Sequence, residues 1–209
     1  MRRTASQILM RSKSFRYFIV NKPYGVLSQF TDNAGRKTLS GLFNFPKDVY
    51  PVGRLDADSE GLLLLTNDKS LTDFLLNPHN KHEREYYIQV EGIPGEEDLE
   101  KLRGGVIISG EKTLPAKVKK IDEPDFQPRN PPIRERQNIP TSWLSISLIE
   151  GKNRQVRRMT ASIGLPTLRL VRVRIKNIHL KNLKPGSVRE LNEDEITGLK
   201  SAIARKQIF

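Results

Sequence analysis

Gly53-Arg54-Leu55-Asp56-Ala57-Asp58-Ser59-Glu60-Gly61-Leu62-Leu63-Leu64-Leu65-Thr66-Asn67-Asp68 is the stretch around which the chain is organised. Consecutive leucines bounded by turn formers read as a strand buried on both faces, because a half-exposed strand would alternate apolar with polar. A polar loop on the lip of such a strand holds its side chains against a rigid interior. That loop is where chemistry is expected.

Working outward, Tyr17 to Val20 is a short β-prone run that ends in the turn-forming Asn21-Lys22-Pro23-Tyr24-Gly25. Residues 28–48 are polar and aromatic, with too little periodicity to place. Asp68 is positioned to cap a short helix bearing Leu71, Phe74 and Leu75 on one face and stopping near Pro78. Further strands are expected over 84–91, 113–121, 142–149 and 171–176, and helices over 95–102, from Arg154 to Ile163, and after Asn192. Asn192 and Glu195 have capping-box spacing. Residues 122–140 hold five prolines and three arginines and read as a long loop. Many strands with interspersed helices indicate an α+β fold, with a lobe boundary expected in that loop.

The net charge is +12 over 209 residues. Such an excess favours a polyanionic partner, since each cation set on a phosphate releases counterions. The charge is also clustered: residues 150–176 hold eight basic residues against one acid. Without cysteine there is no disulfide framework, zinc ribbon or thiol nucleophile, and three His make a His-based metal site a poor expectation. No apolar run approaches the roughly 18 residues of a membrane span. The first 16 residues carry Arg2, Arg3, Arg11, Lys13 and Arg16 without an apolar core, so they are not a secretory signal; they read as a flexible basic arm, with an Arg/Ser-rich transit peptide as the alternative.

Asp56 to Gly61 opens like a calcium loop, but Asn67 stands where the bidentate Glu belongs and Leu62 to Leu65 replace ligands. Neither phosphate-cradling glycine motif occurs. Spacing leaves a Ser-His-Asp triad open, although none of the three His sits in a suggestive context. The other chemical possibility is a carboxylate acting alone, since an Asp serves as a covalent nucleophile when a cation keeps it ionised and orients it. Arg54 and the Arg154–Arg158 segment both offer that cation. Spacing alone also accommodates Asp56 and Asp58 as turn formers or surface ion pairs.

Four stretches, in order, resemble the pseudouridine synthases of the RsuA type, which modify ribosomal RNA. They are Asn21 to Val26, Gly53 to Asp68 (with Ser59 where Thr is commoner), Arg84-Glu85-Tyr86 with the strand after it, and Glu150-Gly151-Lys152-Asn153-Arg154-Gln155-Val156-Arg157-Arg158-Met159. Arg169 to Val173 and Leu183 to Leu191 extend the match, which runs from about residue 17 to 191. Lys176 stands where the family usually has Gly, and the 16 residues in front are too few for the S4-type RNA-binding domain most of this branch carries.

The resemblance implies a pseudouridine synthase fold in residues 17–209, a mixed, largely antiparallel sheet whose two lobes flank a catalytic cleft. It implies conversion of a specific uridine to pseudouridine in large-subunit (23S) ribosomal RNA, with no cofactor and no metal. A monomer acting in the cytoplasm, with no membrane contact, is expected. Asp56 matches the catalytic nucleophile, Arg157 the arginine that pairs with it, and Tyr86 the ring that stacks on the target base. Arg54 matches the residue that enters the space left by the flipped base. Extruding a base costs a few kcal/mol, and stacking on Tyr86 would offset about 1–3 kcal/mol of it. Lys22 is expected to support the active-site wall, and Lys152, Arg154, Arg158, Arg172 and Arg174 are candidate phosphate contacts. The alternative is a basic, non-catalytic RNA-binding or ribosome-associated protein on the same fold. Asp56 is the residue that separates the two.

Overall fold

The computed structural model describes residues 14–133, 136 and 138–204. Most of the expected basic arm, residues 1–13 of 1–16, lies outside the described residues. Along the chain run β1 (Tyr17–Lys22), β2 (Tyr50–Pro51), β3 (Glu60–Thr66), α1 (Lys69–Leu76), β4 (Arg84–Glu91), α2 (Glu96–Gly104), β5 (Ile107–Ile108), β6 (Glu111–Lys112), β7 (Lys117–Ile121), β8 (Thr141–Leu148), α3 (Gln155–Ser162), β9 (Thr167–Ile175), β10 (Ile178–His179), β11 (Val188–Glu190) and α4 (Glu193–Ala204).

The leucine run behaves as its composition demands. Every residue of β1 and β3 is buried. Strand parity sends Ile19, Leu62 and Leu64 into one cluster, with Leu71 of α1 and Leu199 of α4. Phe18, Val20, Leu63 and Leu65 face the other way, onto Val26, Leu39, Val49 and Leu55. Each of these enclosed leucines contributes roughly 2 kcal/mol by leaving water. Asp68 caps α1 by accepting from the Leu71 N–H at 3.1 Å. At α4 both arms of the capping box form, Glu195 N–H to Asn192 Oδ1 at 2.9 Å and Asn192 N–H to Glu195 Oε2 at 3.0 Å.

The main sheet is mixed, in the order β11-β1-β3-β9-β4-β8-β7, with β2 on β3 and β10 on β9. All of its pairings are antiparallel except β3 with β9, which is parallel and short: Glu60 lies beside Val171 and Gly61 beside Arg172. This is the seam between two halves, one centred on β1 and β3, the other on β9, β4, β8 and β7. Gly61 makes the seam possible. Its φ is +100°, and a Cβ there would stand 2.3 Å from the Arg172 carbonyl oxygen. A third cluster, including Ile88, Leu144, Ile146 and Met159, fills the second half.

Three expectations are corrected. The 122–140 loop does not carry the lobe boundary, because β7 and β8 are adjacent antiparallel strands and the prolines only lengthen their connection. Of the expected strand 113–121, only Lys117–Ile121 pairs, since Pro115 has no N–H to give a ladder. The strand expected over 171–176 starts earlier, at Thr167, and stops at Ile175 because Lys176 turns with φ 51°, in the left-handed region that favours glycine.

Candidate active site

A cleft of about 440 Å³ opens beside the seam, with Arg54, Asp56, Tyr86, Arg154, Arg157 and Arg172 on its walls. That volume suits a small organic group the size of a nucleoside. Lys152 also lines it.

The loop that presents Asp56 is fixed from below. Ser28 Oγ donates to the Leu55 carbonyl oxygen at 2.8 Å and accepts from the Leu55 N–H at 3.0 Å. The Gly25 N–H donates to the Ala57 carbonyl at 2.7 Å, and the Ser59 N–H closes a turn on the Asp56 carbonyl at 3.1 Å. Leu55 anchors the loop in the core. Between these ties the Asp56 side chain stays 43% exposed, facing the cleft.

Two arginines of α3 and its N-cap meet this loop. Arg154, the N-cap, has φ 50°. Its fork makes two bonds to Asp58, Nη1 to Oδ1 at 3.0 Å and Nη2 to Oδ2 at 2.8 Å. The same Nη1 lies 3.5 Å from Asp56 Oδ2. Arg157 donates to the carbonyls of Asp58 at 2.6 Å and Thr167 at 3.0 Å, with Nε 3.4 Å from Asp58 Oδ2. The pairing expected between Arg157 and Asp56 is therefore not the one made. Arg157 is spent on two carbonyls and Asp58, while the left-handed backbone of Arg154 swings that side chain out to Asp56. Burial alone would raise the Asp58 carboxyl. The bonds from Arg154 and the charges of Arg157 and Arg154 outweigh it and hold the group below the usual carboxylate range.

Tyr86 lies on β4 opposite Arg172, beside a bulge between Glu85 and Tyr86 that re-aims the strand. Its half-buried ring bridges the core clusters of the two halves. Arg172 is buried, with Nε–H donated to the Leu62 carbonyl at 2.7 Å and its guanidinium addressing the Tyr86 hydroxyl. It forms the floor of the cleft, and as a phosphate contact it is corrected. Arg174 is corrected likewise, since its fork pairs with Glu83 and Glu85, each at 2.7 Å. Lys22 is fully enclosed, donating to the carbonyls of Val26 at 2.7 Å and Pro23 at 3.0 Å, so it cannot reach RNA. It is a strut inside the wall. Burial lowers its pKa to about 8, against the opposing pull of Glu60, Asp58 and Asp56.

Arg54 is exposed at the cleft. Lys152 pairs with Glu111 at 2.6 Å, and Arg158 points outward to Ser109 Oγ at 2.9 Å. Asp58, which sequence reasoning left as a loop former, is the carboxylate that both arginines meet. The buried Glu60–Arg169 pair, two bonds of 2.9 Å, also went unread. Their partners lie 96 and 109 residues away, so no local pattern signals them.

The family model described as RNA pseudouridylate synthase matches residues 16–162. The chain belongs to this family. The synthase is 57% identical over 176 residues to "Ribosomal large subunit pseudouridine synthase E" of Vibrio parahaemolyticus, covering 84% of this chain and 74% of the relative. It is 51% identical to the protein of the same name from Xanthomonas axonopodis pv. citri, covering 80% and 89%. Against "Ribosomal large subunit pseudouridine synthase B" of Bacillus subtilis it is 38% identical, covering 88% and 71%. Among solved structures, a crystal structure of a pseudouridylate synthase superposes with TM-score 0.75 at 27% identity, covering 89% of this chain and 74% of that one. Among the described residues of the synthase, no helix is long and apolar enough to cross a membrane.

Proposed function

We propose that the synthase converts a specific uridine of large-subunit ribosomal RNA to pseudouridine, with Asp56 as nucleophile. The support is one juxtaposition: the Asp56 carboxylate, a cationic fork and the Tyr86 ring line a single nucleoside-sized cleft. Asp56 attacks the uridine or its ribose, and the uracil detaches, turns and rejoins through carbon. Tyr86 stacks on the extruded base, and Arg54, exposed beside it, fills the gap in the RNA. Arg172 holds the floor under Tyr86, and Lys22 braces the wall. Lys152, Arg154 and Arg158 remain as phosphate contacts near the rim. The relatives named above as ribosomal large subunit enzymes support the choice of RNA. We take the active form to be a monomer in the cytoplasm, where light scattering and cell fractionation test it.

Asp56→Asn removes the nucleophile while keeping the shape. Pseudouridine formation on a large-subunit rRNA substrate is expected to fall by at least roughly 10³-fold, as for lost nucleophiles elsewhere. RNA affinity, measured by filter binding, should stay within a few-fold. Retained turnover would remove Asp56 from this role.

A further inference from the structure

We propose that Asp58 is a positioning residue that draws Arg154 away from Asp56, leaving the nucleophile oriented but loosely paired. This rests on Asp56 as nucleophile. The fork of Arg154 makes two bonds of normal length to Asp58, at 3.0 and 2.8 Å. Its approach to Asp56 is 3.5 Å, outside the usual range for an N–H···O bond. The asymmetry matters because of where charge goes. An Asp56 oxygen bonds to the substrate carbon it attacks. At the ribose the glycosidic C–N bond breaks and its pair stays on uracil; at the base the ring C=C π bond breaks and its pair shifts toward the neighbouring carbonyl. Nothing is oxidised or reduced. The negative charge of Asp56 is therefore spent in the step, and an ion pair with it is stronger before the step than during it. Such a contact stabilises the ground state more than the transition state and slows the reaction.

Asp58 also covers the aftermath. Once Asp56 is esterified or alkylated, Arg154 and Arg157 would face each other in a half-enclosed site without a counter-ion. The Asp58 carboxylate, 2.8 Å from one and 3.4 Å from the other, stays charged throughout. The left-handed backbone of Arg154, a conformation that residues other than glycine seldom adopt, is consistent with a side chain held by this fork. The backbone carbonyl of Asp58, not its carboxylate, takes the shortest bond from Arg157. Replacing the side chain thus leaves that tie in place and isolates the carboxylate.

The test is single-turnover kinetics on an rRNA fragment with Asp58→Asn, Arg154→Gln and the double variant. In Asp58→Asn the freed fork closes on Asp56, and the single-turnover rate constant is expected to fall about 10–100-fold with the half-saturating RNA concentration nearly unchanged. Adding Arg154→Gln should recover at least tenfold of that loss. A purely structural role predicts the reverse, a double variant as slow as Asp58→Asn or slower. Asp58→Asn at the wild-type rate, or a double variant without recovery, overturns the proposal. Should Asp58→Asn fail to fold, Asp58→Glu displaces the charge by one methylene, and its deficit must again be relieved by Arg154→Gln. A wild-type protein that forms no pseudouridine in rRNA would instead refute the functional reading beneath.

Discussion

Lys22 places its Nζ on two carbonyl oxygens inside the wall of the cleft, with no exposed surface. Its pKa of about 8 in the folded protein, below the ordinary 10.5, makes stability depend on pH. Between those values the unfolded chain holds the proton and the folded protein gives it up, so folding gains as pH rises. The contribution is complete above about 10.5 and is lost as pH falls through about 8. Urea midpoints of wild type and Lys22→Met should therefore diverge in favour of wild type between pH 8 and 10. Tyr17, whose hydroxyl is raised by burial and by Asp68, is common to both and cancels. A pH-independent difference would show that Lys22 does not titrate in this window. At this scale the sequence was legible where a motif names a residue and silent where a partner lies far along the chain. Strand alternation would put Arg172 and Arg174 on one face, but the bulge sets Arg172 opposite Tyr86 and Arg174 opposite Glu85, on opposite faces of the sheet. Arg174 meets Glu83 and Glu85 some 90 residues upstream, at separations of 91 and 89.

Among elements, β3 and β4 could be read directly because each is a local statement. Leucines without alternation require two covered faces, and Arg84–Glu91 was delimited to the residue. The Asn192–Glu195 box likewise needs only its own turn. Residues 28–48 resisted because they are organised by contacts from outside. Phe43 and Phe45 close on Phe18, and Phe45 also meets Phe30, around one 3-10 turn at Leu39–Gly41. No period along the chain records such a cluster. The parallel seam was equally hidden, since only Gly61 marks it. Gly61→Ala adds a methyl 2.3 Å from the Arg172 carbonyl and 2.7 Å from its nitrogen, at a φ that L residues rarely adopt. The expected loss is about 2–5 kcal/mol, from overpacking plus backbone strain. A guanidinium midpoint within error of wild type would mean that the seam opens freely.

For the whole molecule, a charge of +12 exaggerates the number of phosphates it can hold. Removing the enclosed Arg172 and the carboxylate-paired Arg174 leaves Lys152, Arg154 and Arg158 of the phosphate contacts foreseen. At about 0.7 counterions per single-strand phosphate, log Kd should rise against log salt with a slope of about 2. A slope of about 3.5 would mean that Arg172 and Arg174 also touch RNA. The sheet order carries a separate consequence. β1 is paired with β11, and the face bearing Ile19, Leu62 and Leu64 is closed by Ile178, Leu180, Leu191 and Leu199. Of the strands among the described residues, β1 leaves a translating ribosome first and therefore waits for the last of them, β11. At roughly 5–20 residues per second, the nascent β1–β3 sheet keeps that oily face uncovered for on the order of 10 s. Over that interval the half-made chain is a client for chaperones, and synonymous codons that slow translation between β3 and β10 lengthen its exposure.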